Sequence, residues 1–391
     1  MSLQKPAIRP ERPEFSSGPC VKRPGWSPVK IARMAFLGRS HRSIEAKKQL
    51  KDVIEITSRL LKIPDDYLLG IVPASDTGAY EMAIWAMLGA LPVDILVWES
   101  FGKAWALDIV QELKVRDFKL IESGYGEIPD LSLIRDDSDV CFVWNGTTSG
   151  ACVPDADWIK ENRRGLTFCD ATSAVFAKEL DWQKLDVTTF SWQKVMGGEA
   201  AHGMIILSPR AIKRLKEYKP NRPLPKIFKL IKNGELSQNL FQGETINTPS
   251  MLCVADALDS LLWIEEIGGL KSTVERANSN FGILQDWVDE EKWVENLVKE
   301  RTCRSNTSVC LKLVAPEFKN MDKKQQMYFI EEMVKLLEEE KAAYDIKSHR
   351  DAPPGLRIWC GATVNAQDLR ALLPWLKWAY KRTLLIVSSG V

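Results

Sequence analysis

The sequence predicts an α/β protein, with a large domain built on a mostly parallel sheet covered by helices and a smaller α+β domain after it. Three observations carry that expectation. Short apolar runs of strand length alternate with helical patterns through the first half of the chain, the signature of a sheet with crossover helices. The texture then changes at Thr248, where long helices take over and only two further strand runs appear. Finally, 391 residues with 45% hydrophobic content are enough for roughly two domains and a sizeable core.

Residues 1–30 are rich in proline and charge and read as an irregular arm. A helix follows at 43–62, where SIEAKKQLKDVIEITSRLLK repeats its apolar residues at helical spacing. Strands are expected at 67–72, 94–98, 139–144, 165–170, 187–192 and 203–207. Helices are expected between them at 78–90, 103–114, 155–163 and 209–217. Beyond Thr248, TPSMLCVADALDSLLWIEEIG and LKSTVERANSNFGILQDWVDE read as two long helices. A strand (SVCLKLVAP), an amphipathic helix (KKQQMYFIEEMVKLLEEEKAA), a strand (LRIWCG) and a last helix (AQDLRALLPWLKWAYKR) complete the chain. The expected division is an arm at 1–30, a large domain at 31–270 and a small domain at 271–391.

Charge excludes some partners. The 53 basic and 52 acidic residues leave a net charge of +1 and no polybasic tail, so nothing favours nucleic acid. The N-terminus, MSLQKPAIRPERPEF, has no apolar h-region, and the longest apolar stretch is broken by Pro92 and Asp94, against a membrane span. The eight cysteines form no CxxC pair and several fall in strand runs, as expected of reduced thiols in the cytoplasm.

In such sheets ligands collect beyond the carboxyl ends of the strands. Asp170 closes GLTFCD, Asn145 and Thr147 follow DVCFVW, and Lys194 follows VTTFSWQ among Gly197, Gly198 and Gly203. Asp170 and Lys194 could be a structural ion pair. They could also be the proton holder and Schiff-base amine of a pyridoxal-type cofactor. The turn Ser75-Asp76-Thr77-Gly78, between a strand and a helix, is either an ordinary cap or a phosphate site. Phe101 and Trp105 follow another strand, as core or as a stacking face. Two of the three histidines precede arginine, His41-Arg42 and His349-Arg350, and Arg357 lies seven residues after Arg350. Arginine forks suit carboxylate and phosphate, so both pairs are candidates for a dianionic substrate.

These residues bring a family into view. FSSGP at 15–19, Ser40-His41-Arg42, Gln193-Lys194 after a strand, Asn247-Thr248-Pro249 and the His349-Arg350 segment ending at Arg357 resemble the phosphoserine aminotransferase family. That family belongs to the class V, fold-type I pyridoxal-phosphate enzymes. The resemblance implies pyridoxal 5'-phosphate bound to Lys194, with Asp170 at its ring nitrogen and Trp105 stacked on the ring. It implies hydrogen bonds to the cofactor from Thr147 and Gln193. The cofactor phosphate would lie in the Ser75-Asp76-Thr77 turn, completed by Asn247 and Thr248 of a second subunit in a homodimer. Arg357 would take the substrate α-carboxylate, and His41, Arg42, His349 and Arg350 its distal group. Many members carry a glycine-rich turn with an arginine where this chain has SDTGA, so backbone N–H groups and hydroxyls are expected to do more of the phosphate binding. The implied reaction is amino transfer between glutamate and 3-phosphohydroxypyruvate in serine biosynthesis, with a related pyridoxine-pathway substrate also open. An alanine–glyoxylate-type aminotransferase, a cysteine desulfurase and a non-enzymatic scaffold remain the rivals.

Overall fold

The computed structural model describes residues 4–388. Helix α1 (Pro28–Met34) and α2 (Ile44–Leu61) precede the sheet, and the Ser43 side chain caps α2 by accepting the Ala46 N–H. Leu50, Val53, Ile54, Leu60 and Leu61 form the buried stripe of α2, at the spacing seen in the sequence. The chain then builds β1 (Leu68–Pro73), α3 (Ser75–Met87), β2 (Val93–Val97), α4 (Ser100–Leu107), β3 (Phe118–Glu122), β4 (Asp139–Val143), β5 (Thr167–Asp170), β6 (Val187–Ser191), β7 (His202–Leu207) and α5 (Pro209–Glu217).

Seven strands pair in the order β1-β7-β6-β5-β4-β2-β3, parallel throughout except that β7 runs antiparallel to both its neighbours. The carboxyl ends of β1, β2, β4, β5 and β6 therefore share one edge. Strands β2, β4, β5, β6 and β7 are buried along their whole length, which is why they read as continuous apolar runs instead of alternating ones.

After a small hairpin, β8 (Ile231–Lys232) with β9 (Glu235–Leu236), come α6 (Met251–Glu266) and α7 (Gly269–Glu290). The second sheet is antiparallel, β10 (Val294–Asn296), β11 (Ser308–Leu313) and β12 (Gly355–Trp359), flanked by α8 (Pro316–Lys319), α9 (Lys323–Glu339) and α10 (Ala366–Ser388). One continuous apolar core runs beneath both sheets. The arm crosses between them: Phe15 O accepts from Trp359 N at 3.0 Å, and Gln193 O accepts from Cys20 N at 2.8 Å.

Several features depart from the sequence expectation. The short strands β8, β9 and β10, two or three residues each, are too brief to show a periodicity, so three strands and not two follow Thr248. Residues 155–163 form turns, not a helix. Asp155 uses its side chain to accept the Asp157 N–H at 2.9 Å, a local bond that competes with the helical ladder. Strand β3 was not expected; it is an edge strand, and Phe118 and Leu120 stay about 40% exposed, which hides its alternation.

Candidate active site

Lys194 lies just past β6, 6% exposed, with its Nζ donating to the Ser17 carbonyl of the arm and standing 5.9 Å from the centre of the Trp359 ring. Burial pulls its amine below the ordinary lysine range. The Arg357 guanidinium adds to that effect, while Cys20, Asp170 and Glu99 oppose it. A lysine tuned this way is more readily a free amine, the form that attacks a carbonyl carbon. The glycines beside it meet steric demands. Gly197 has φ +68° and a Cβ on it would lie 2.6 Å from the Val21 carbonyl oxygen, while a Cβ on Gly203 would lie 2.1 Å from the Ser75 carbonyl oxygen.

Asp170 ends β5, two strands from β7. Its Oδ1 accepts from Thr172 N at 3.0 Å and its Oδ2 from the Trp105 indole at 3.3 Å. Trp105 is buried and stacked on Tyr80, with centroids 4.6 Å apart. Thr147 follows β4, donates to Ser173 Oγ at 2.9 Å, and through its carbonyl accepts from Ser308 Oγ at 2.6 Å and from Arg357 Nη1 at 3.5 Å. Gln193 Oε1 and Arg357 Nε are buried without a partner. Arg357 pairs in register with Cys310 across β11 and β12, so the second sheet delivers the guanidinium to the first sheet's edge.

At the start of α3, Ala74 and Ser75 both adopt left-handed backbone, φ 66° and 54°, and no side chain caps the helix. Non-glycine residues held there are strained and tend to mark ligand sites. Free N–H groups at this helix end suit an anion. Asp76 faces inward beside Asp170, Thr189 and Thr172, and burial pushes its carboxyl well above the usual carboxylate range, the Asp170 charge adding to that.

His349 sits over the start of α4, with Nδ1 3.1 Å from Ser100 Oγ and its ring 6.2 Å from Phe101. Burial lowers its pKa, and Arg357 lowers it further. Arg350 stands beside Asp351 at 3.8 Å with its side chain 87% exposed. The remaining predicted residues form a second group. Arg42 precedes α2 and faces Glu244, while Asn247 and Thr248 are exposed on the turn before α6. His41 adjoins Arg42. Among the described residues, no hydrogen bond or ion pair joins these four to Lys194, Asp170 or Arg357.

Sequence reasoning passed over three neighbours. Glu99 caps α4, accepting from Gly102 N at 2.7 Å and Thr148 Oγ1 at 2.8 Å, and burial pushes its carboxyl up to about 7. Cys20 is buried against Lys194 and Arg357, its thiol pushed up to about 12 by burial. His202, the third histidine, packs on Trp192 and accepts the Ser250 N–H. Its signal was present in AHGMIIL, but it lacks the arginine that drew notice to the other two.

A largely parallel sheet with an antiparallel seventh strand, a buried amine past one strand and a carboxylate ending its neighbour match what a fold-type I pyridoxal-phosphate enzyme requires. No family model matches the chain. A phosphoserine aminotransferase of Methanosarcina barkeri is 54% identical over 376 residues, spanning 96% of this chain and 99% of that one. The chain belongs to the phosphoserine aminotransferase family. Among solved structures, the phosphoserine aminotransferase of Cytophaga hutchinsonii superposes with a TM-score of 0.78 at 21% identity, over 94% of this chain and 98% of that one. The ureidoglycine–glyoxylate aminotransferase of Bacillus subtilis reaches 0.76 at 15% identity, over 97% and 95%. The fold is therefore shared by enzymes of both substrate classes, and the family rests on the sequence.

Proposed function

We propose that this protein moves an amino group reversibly between L-glutamate and 3-phosphohydroxypyruvate, giving O-phospho-L-serine and 2-oxoglutarate, in serine biosynthesis. Pyridoxal 5'-phosphate is the cofactor. The observation that carries the reading is Lys194, a buried amine shifted toward its neutral form at the end of β6, in a chain 54% identical to a phosphoserine aminotransferase. The residues present fit the cofactor: the uncapped start of α3 offers N–H groups to a phosphate, and Gln193 Oε1 and Arg357 Nε are buried donors and acceptors still without partners.

Bound there, pyridoxal phosphate supplies an electron sink for the carbon it activates. Lys194 holds the cofactor and, once freed, takes the proton from the substrate Cα as general base. Asp170 holds a proton at the ring nitrogen, Trp105 covers the ring, and Thr147 and Gln193 hydrogen-bond it. Ser75, Thr77 and the backbone of Asp76 bind the phosphate. Arg357 binds the α-carboxylate through paired N–H bonds. His349 and Arg350 receive the distal phosphate at the rim, and the arm around Ser17 and Cys20 keeps water from the amine.

The second group of residues belongs, in this reading, to the partner's site in a homodimer: Asn247 and Thr248 reach its cofactor phosphate, and His41 and Arg42 its substrate. Exposed apolar side chains accompany that group, Leu37 at 58% and Ile44 at 87%, with Leu252 at 44% on α6, and a partner would cover them. Among the described residues no helix is long and apolar enough to cross a membrane, and none of the eight cysteines is in a disulfide; we read the enzyme as cytoplasmic.

Borohydride reduction of the purified protein followed by peptide mapping tests the reading. The label is expected on Lys194, and recovery on another lysine, or on none, rejects it.

A further inference from the structure

Asp76 is more deeply placed than a phosphate-binding turn requires. It is 6% exposed, its Oδ1 is fully buried, and no fixed donor reaches that oxygen. The side chains beside it are those of Thr189 on β6, Thr172, and Asp170, a second carboxyl. The Thr189 and Thr172 hydroxyls are themselves buried without partners. An ionised Asp76 here would leave a buried, under-donated oxygen beside another anion, an arrangement that buried carboxyl pairs avoid by sharing one proton.

We propose that Asp76 is a positioning residue for Asp170: its carboxyl keeps a proton and donates it in a hydrogen bond to the Asp170 carboxylate, fixing how Asp170 meets the cofactor's ring nitrogen. The proposal rests on the reading of Asp170 given above. The pair then carries one negative charge, shared between the end of β5 and the start of α3, with the Thr189 hydroxyl beside it. Asp170 Oδ1 and Oδ2 already accept from Thr172 N and the Trp105 indole. The Asp76 donor adds a third contact, so the carboxylate is held from α3, from the turn after β5 and from α4. The same proton removes a like charge from a turn meant to receive a phosphate.

Other ionisable groups face the pair. Cys169 on β5 and Tyr80 on α3 are both pushed far up by burial and stay neutral through the acid and neutral range. Lys194 and Glu99 act on Asp170 from the ends of β6 and β2. Glu99, pushed up to about 7 by burial, also titrates between pH 4 and pH 8, so each comparison is made between variants that all retain it.

The test uses the purified full-length protein and three substitutions, D76N, D76A and D170N, with two readouts: the dissociation constant for pyridoxal phosphate and the melting temperature from pH 4 to pH 8. Asparagine keeps the shape, one donor and one acceptor. D76N is therefore expected to bind the cofactor within about threefold of the wild type, and D76A at least about tenfold more weakly. A carboxyl whose native pKa is raised loses stability as pH climbs from its unfolded pKa toward the native one. The melting temperature of D76N should thus gain on the wild type as pH rises, and this comparison stands even if D76A does not fold. Parallel melting curves for D76N and the wild type, or a D76N protein that binds as weakly as D76A, overturn the proposal. D170N is expected to bind at least about tenfold more weakly. If D170N keeps wild-type affinity, the reading of Asp170 itself is wrong and the proposal falls with it; an impaired D170N beside an indifferent D76A overturns the proposal alone.

Discussion

Arg357 and Arg350 lie seven residues apart in sequence yet meet different surroundings, and their loss should be felt differently. Arg357 stands on β12, its Nε buried and its Nη1 on the Thr147 carbonyl. Arg350 projects from the loop before it, almost free of the protein. Arg357→Ala should reduce kcat/KM for every amino donor, by about 1.5–3 kcal/mol or roughly tenfold to hundredfold. Arg357→Lys should recover little of it, because an ammonium cannot reproduce the planar fork. Arg350→Ala should reduce phosphoserine turnover and leave alanine turnover at its wild-type level, and steady-state kinetics with the two donors separate the cases. His202 offers a prediction in pH. Burial holds its imidazole down at about 4 while Nε2 accepts the Ser250 N–H. A histidine with a depressed native pKa binds its proton more weakly than the unfolded chain does. Its contribution is present above pH 6.5 and lost as pH falls toward 4. A pH series of denaturant melts should show that slope in the wild type and a flatter one in His202→Gln.

The elements matter most where two of them close on one point. Strand β7 has a glycine at 203 because the first turn of α3 presses on it, with Ser75 O 2.1 Å and Ala79 Cβ 2.8 Å from where a side chain would begin. Gly203→Ala must push the start of α3 off the sheet, and overpacking of this kind costs about 1–3 kcal/mol. Because that helix end is the proposed phosphate site, the variant should lose cofactor affinity along with melting temperature. A fall in melting temperature with unchanged affinity would detach α3 from the site. At this scale the sequence was a good guide wherever a strand was buried on both faces, since apolar runs such as DVCFV have no other place to go. It failed where local polar bonds or exposure decided the outcome, at the Asp155 turn and at β3. Lys194, Asp170 and Thr147 were legible as polar residues closing apolar strands. The inward turn of Asp76 was not, because a residue that follows a strand and opens a helix reads as a cap unless its neighbours in space are known. Glu99 was hidden for the same reason.

For the whole molecule, the residues proposed for the site fall into two groups. One is gathered around Lys194 by both sheets and the arm; the other, with His41, Arg42, Asn247 and Thr248, faces outward near exposed Leu37 and Ile44. If each site draws on two chains, an inactive Lys194→Ala protein mixed with an inactive Asn247→Ala/Thr248→Ala protein should regain activity in hybrid dimers. Chain exchange without recovery, followed by mass-labelled subunits, would show that each chain works alone. The fold cannot separate a phosphoserine enzyme from a glyoxylate-type one, since structures of both kinds superpose on this chain almost equally well. The distinction lies in the distal group of the substrate. The most direct measurement is therefore kcat/KM of the wild-type protein for phosphoserine and for alanine, each with its matching oxo-acid acceptor. The His-Arg contacts to a phosphate should favour phosphoserine by on the order of a hundredfold or more. Alanine turned over as well as phosphoserine, or better, would contradict the assignment.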